Sequence, residues 1–133
     1  MYLIIIKNMK LIIIESFEQF KNYLNDNQYD FIIINVSASW CKPCNAIKED
    51  FSNYINSLQK ENSICLKIDY DLMEEEYEFQ EILNVEKIPY FFIFHLKNKI
   101  DQIQSSSMNL IINKIENTIN QQIQKSFDIN EDF

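Results

Sequence analysis

Residues 31–36 read F-I-I-I-N-V, apolar at five of six positions. A strand with one wet face alternates apolar and polar residues, so an unbroken run marks a strand covered on both sides. A chain built around such a strand needs helices above and below it. The flanking pattern supplies them. Lys10 to Ile14 reads as a strand, and Ser16 then opens a helix as N-cap with Gln19 completing a capping box. A second helix is expected from about Cys41 to Lys60, with Ile47, Phe51, Ile55 and Leu58 on its inward face. Ile64 to Asp69 is a third strand and Met73 to Leu83 a third helix. Tyr90 to Leu96 and Ile100 to Gln104 are further strands joined near Asn98. The last helix begins near Asn109, with Ile111, Ile115, Ile119 and Ile123 recurring every four residues. This order predicts an α/β fold with helices on both sheet faces.

Composition narrows the function. The 133 residues make one domain with material for a real core. There is no glycine and no arginine, so every tight turn must use Asn, Asp, Ser or Lys, which accept a left-handed backbone less readily. A formal charge of −8 argues against a nucleic-acid partner. The acidic run Met73 to Glu81 reads as a solvated helix face, with a docking patch for a basic partner as the sharper alternative. No apolar run approaches the ~18 to 20 residues that span a bilayer, and the amino terminus is a poor secretory signal. Three cysteines make no disulfide framework. A cytoplasmic location is expected, with an organelle left open. Residues 1–11 read as an N-terminal extension, open to pairing as part of the first strand; 12–127 form the domain and 128–133 a tail.

The chemistry is carried by S-W-C-K-P-C-N, residues 39–45, at the junction of the buried strand and the second helix. Cys41 and Cys44 stand at i and i+3, on one face, with Cβ atoms ~5 to 6 Å apart on an ordinary helix. Small adjustment reaches disulfide geometry. Pro43 suits a first helical turn, which has no use for its missing N–H. Cys41 lies at the helix N-terminus, where unpaired N–H groups favour a thiolate, and Lys42 adds positive charge beside it. Cys41 is thus expected to attack a substrate disulfide, and Cys44, facing inward, to resolve the mixed disulfide. A zinc site would need four ligands, and only Cys65 and His95 remain, both inside core strands. Two inert buried thiols are the other alternative. A C-x-x-C beside a βαβ pattern favours redox chemistry. Cys65 itself reads as a small core hydrophobe and His95 as a strand residue without special role.

Taken with K-I-P-Y at residues 87–90, the motif S-A-S-W-C-K-P-C resembles that of the thioredoxins, and the element order follows them from roughly Ile12 to Gln124. The resemblance implies a thioredoxin fold: a central mixed sheet of about five strands flanked by about four helices. It implies a cis bond before Pro89, leaving the Ile88 backbone free to pair with an extended substrate segment. Trp40 would flank the nucleophile as an apolar contact surface.

Three departures from the family pattern stand out. Where thioredoxins carry a buried Asp as proton acceptor for the resolving thiol, this chain has Asn35, whose amide cannot take a proton. Lys67 matches the lysine that pairs with that Asp and here lacks the charge partner. Slower resolution by Cys44 is expected, by about 10²-fold for loss of a positioned base. Lys42 replaces the glycine of the usual Cys-Gly-Pro-Cys, and Lys99 and Ser105 to Ser107 replace glycines beside the substrate groove, which they are expected to narrow. The function expected is reduction of protein disulfides by a monomer without bound cofactor, metal, membrane or nucleic acid. An NADPH-dependent thioredoxin reductase would recycle it. The alternative is a thioredoxin-like binding module with weak turnover.

Overall fold

Side-chain parity along β2 (Phe31–Ser37) sets the architecture. Ile32, Ile34 and Val36 point to one sheet face and Phe31 and Ile33 to the other, all buried. In the computed structural model, which describes residues 8–131, β2 lies at the centre of a five-stranded sheet. Its parallel neighbour is β3 (Ser63–Asp69), which in turn pairs in parallel with β1 (Lys10–Ile13) at one edge. On the other side β4 (Tyr90–His95) runs antiparallel to β2, and β5 (Asn98–Gln104) antiparallel to β4 at the far edge. The sheet is therefore mixed, as expected. Residues 1–7 of the N-terminal extension fall outside the described residues.

Helices α1 (Phe17–Leu24), α3 (Tyr70–Met73) and α4 (Tyr77–Leu83) cover the Ile32–Ile34–Val36 face with Phe20, Met73, Phe79 and Leu83. Helices α2 (Lys42–Ser57) and α5 (Met108–Glu131) cover the opposite face with Ile47, Phe51, Ile55, Ile111, Ile115 and Ile119. Ser16 caps α1 by accepting from the Gln19 N–H at 3.1 Å, while the Gln19 side chain accepts from Glu15 N–H rather than from the cap residue. The helix expected over Met73 to Leu83 is two helices with Glu74 to Glu76 between them. Met73 and Phe79, six positions apart, would sit roughly 120° apart on one continuous helix. The break lets both bury completely in the same core.

The absence of glycine shows in the turns. Asn62 and Asn84 hold φ of 62° and 53°, within reach of asparagine. The β4–β5 hairpin instead turns on Leu96 and Lys97, at 48° and 72°. Leucine there is outside the composition-based expectation and places a Cβ against its own backbone. In the middle of β5, Asp101 anchors α5: the buried Thr118 hydroxyl donates to it at 2.6 Å and Lys114 approaches to 3.2 Å. Burial works against the Asp101 charge, but the Thr118 hydroxyl, the Gln102 N–H and Lys114 outweigh it and hold its carboxyl below the usual value of 3.8.

Two outcomes follow. Leu96→Asn with Lys97→Gly should raise the urea midpoint of unfolding, by about 1–2 kcal/mol of stability, because the strained turn costs of this order and Leu96 is exposed. The Asp101 contribution is complete above its ordinary pKa and lost as pH falls through its lowered folded value. Asp101→Asn should therefore flatten the acid limb of the stability–pH curve measured by denaturant titration.

Candidate active site

β2 delivers the chain to the cysteine motif, and the turn is fixed by hydrogen bonds. The Cys41 N–H donates to Ala38 O at 3.1 Å, and the Asn45 side-chain amide donates to Ser39 O at 2.9 Å. Cys41 is the N-cap of α2: its Sγ accepts from the Cys44 N–H at 3.3 Å, the position an Asp or Ser oxygen fills elsewhere. Pro43 lies in the first turn, where its ring displaces no hydrogen bond. The two cysteines are disulfide-bonded, with Cα atoms 5.3 Å apart. Each is only 5% exposed, so burial does not distinguish them. What they face does.

Cys41 faces a groove of about 410 Å³ lined also by Trp40, Lys42, Pro43, Tyr70, Val85 and the segment Glu86 to Ile88. Trp40 is 64% exposed, yet its indole N–H is tied to both carboxylate oxygens of Asp71 at 2.9 and 3.0 Å. Asp71 is placed in turn by its own N–H donating to Asp69 at 2.9 Å. The Ile88–Pro89 bond is cis, and Ile88 packs against Ala38, Cys41 and Cys44. Lys99 and Ser105 to Ser107 do not line this groove. Lys99 sits with its ammonium 5.6 Å from the Phe92 ring centre, and the Ser107 hydroxyl accepts from the Leu110 N–H at the start of α5.

Cys44 faces the other way, into a smaller cavity of about 140 Å³ together with Asn35, Lys48, Lys67 and Pro89. Asn35 is 6% exposed and directly opposite Lys67 in the β2–β3 register. Parity places both on the α2 face of the sheet. Burial, and then the charge of Lys48, hold the Lys67 ammonium below the usual lysine value. Cys65 is fully buried on the same face; burial pushes its thiol far above the ordinary value, and the Lys67 charge offsets this only in part. His95 stacks on Phe31 and approaches Asp30 O at 3.0 Å. Among the described residues, no three His, Cys, Asp or Glu side chains converge on one point.

The family model described as Thioredoxin matches residues 11–121. This chain belongs to the thioredoxin family. A thioredoxin of Ovis aries is 29% identical over 110 residues, covering 83% of this chain and 96% of that protein. Thioredoxin 3 of Plasmodium falciparum is 34% identical over 76 residues, 56% of this chain and 39% of that protein. Thioredoxin domain-containing protein 2 of Mus musculus is 26% identical over 82% of this chain, which spans only 19% of that longer protein. Among solved structures, the thioredoxin NaTrxh from Nicotiana alata superposes with a TM-score of 0.72 at 16% identity, covering 84% of this chain and 95% of that one, and so shares the fold. Family membership and the bonded Cys41–Cys44 pair together support thiol–disulfide oxidoreductase activity.

The structure thus gathers Trp40, Lys42, Pro43 and Ile88 at the groove and Asn35, Lys67 and Pro89 at the cavity, with one cysteine facing each. Sequence reasoning missed Asp71, Tyr70, Val85 and Lys48. Lys48 was within reach, since it lies four residues after Cys44 on the same helix face. The others arrive through tertiary packing and carry no local signal. In the reduced native protein, alkylation followed by mass spectrometry should label Cys41 first and leave Cys65 unmodified until denaturant is added.

Proposed function

We propose that the chain reduces disulfides of protein substrates through a Cys41–Cys44 dithiol–disulfide cycle. The observation that carries this is the division of the two cysteines between the groove and the cavity at the N-terminus of α2. The Cys41 thiolate, favoured by the helix N-terminus, attacks one sulfur of a substrate disulfide lying in the groove. A Cys41–substrate bond forms and the other substrate sulfur leaves with the electron pair. Cys44 then attacks Cys41 Sγ, closing the intramolecular disulfide and releasing the second substrate thiolate. Two electrons pass to the substrate.

Around this cycle, the Ile88 backbone pairs with an extended substrate segment beside cis Pro89, a short strand addition. Trp40, held by Asp71, offers its exposed ring as contact surface. Lys42 and Pro43 tune and stiffen the motif. Asn35 and Lys67 occupy the proton-transfer position behind the resolving thiol. An NADPH-dependent thioredoxin reductase is the expected source of electrons, acting on a cytoplasmic monomer. Among the described residues, no helix is long and apolar enough to cross a membrane.

The test is reduction of an insulin-like disulfide substrate with dithiothreitol as electron source. The wild-type chain should turn over, and Cys41→Ser should fall to the uncatalysed rate. Equal rates for the two would leave the fold a binding module. Asp71→Asn keeps a hydrogen-bond acceptor for the indole and should leave turnover within a few-fold, whereas Trp40→Ala should raise KM through lost contact area.

A further inference from the structure

The cavity behind Cys44 has a charge pattern that the reductase reading does not use. Its walls come from four elements and from Pro89. β2 contributes Asn35 and Ser37, β3 contributes Lys67, β1 contributes only apolar Leu11 and Ile13, and α2 contributes Lys48 beside Cys44 itself. None of the residues lining it is a carboxylate. Lys67 is fixed opposite Asn35 by strand register, and Lys48 stands one turn beyond Cys44 on the same helix face. The adjoining recess, which Lys48 and Lys67 also border, brings in Asp69. That carboxylate is already engaged as the N-cap of α3, accepting from the Asp71 N–H. Among the described residues neither lysine takes part in an ion pair. The remaining titratable neighbour on that face, Cys65, is a neutral buried thiol.

We propose that Lys48 and Lys67 are positioning residues that stabilise Cys44 as a thiolate by charge, so that its resolving step runs without a carboxylate proton acceptor. The inference deepens the reductase reading and rests on it. A buried acid and a cation pair solve the same problem in opposite ways. An acid takes the proton at the moment of attack, and its own negative charge opposes the thiolate beforehand. Two cations across a small cavity favour the thiolate before any substrate arrives, and the proton goes to solvent water. When the mixed disulfide forms, Cys44 Sγ attacks Cys41 Sγ; that bond forms, the Cys41–substrate bond breaks, and the departing thiolate takes a proton from water. An external dithiol or reductase returns two electrons. Burial first, and then repulsion from Lys48, lower the Lys67 charge affinity, and a thiolate in the cavity that both lysines line offsets them, which couples the titrations. Asn35 suits this arrangement because its amide can hydrogen-bond the thiolate without adding negative charge.

The closing experiment reads Cys44 directly and without turnover. In a Cys41→Ser, Cys65→Ala background, the thiolate absorbance of Cys44 is followed against pH. Lys48→Gln with Lys67→Gln should raise the midpoint by about one unit or more, while Lys48→Arg with Lys67→Arg, which keeps both charges but no titratable amine, should leave it in place. The exposed Lys48→Gln change alone should shift it part of the way, which guards against misfolding of the double variant. The same pairs, in an otherwise wild-type motif, should move the pH profile of mixed-disulfide resolution in the same directions. An unmoved midpoint in the Gln pair overturns the proposal. So does loss of resolution in the Arg pair, which would make a lysine amine the proton acceptor. A midpoint that shifts as described in a chain that reduces no substrate disulfide would preserve the cation pair and overturn the reductase reading instead.

Discussion

The strand β2 belongs to two cores at once, and the site depends on that double membership. Ile32, Ile34 and Val36 pack under α1, α3 and α4, while Phe31 and Ile33 pack under α2 and α5. A shift of one residue in its register would exchange the two sets and set Asn35 among apolar side chains. The end of β2 is therefore held from above and below, and with it the turn that places Cys41 at the head of α2. The residues that break the apolar pattern do so only at this end, where the strand leaves the core and borders the cavity. The cost of a polar side chain there is small because the cavity and the facing lysine receive it.

That same geometry separates the two sulfurs more effectively than burial could. Both are nearly inaccessible in the disulfide. One borders a wide groove with an exposed indole at its rim, and the other borders a smaller cavity of about 140 Å³. The shape of the groove favours access to Cys41, while Cys44 borders the cavity lined by Lys48 and Lys67. The indole itself is less free than its exposure suggests. Its two bonds to Asp71 link the motif loop to α3, which also brings Tyr70 to the groove wall.

Much of this was legible in the sequence, for identifiable reasons. The near-continuous apolar run of β2, the four-residue spacing of isoleucines in α5 and the Ser16 cap are local signals, and each produced the element it announces. The cysteine motif carried its own setting, because strand, turn and helix are contiguous in the chain. The break between α3 and α4 was not legible: it arises because Met73 and Phe79 must reach one core, which is a tertiary demand. For the same reason Tyr70 and Val85 could not be assigned to the groove, nor Asp71 to the Trp40 indole. Lys99 and Ser105 to Ser107, expected to narrow the groove, do not line it: Lys99 lies over the Phe92 ring and Ser107 accepts from the Leu110 N–H at the start of α5.

The glycine-free composition has a consequence beyond the four left-handed residues among those described. Glycine contributes the largest conformational freedom to an unfolded chain, and its replacement lowers that freedom at every position. Here the denatured ensemble of the whole chain is the stiffer for it, while strain is concentrated at Leu96 and Lys97 on a hairpin far from the cysteines in sequence. A poorer unfolded state thus works in the opposite direction to the strain of that turn. The stability of the molecule is to be sought as much in what the open chain cannot do as in the contacts of the closed one.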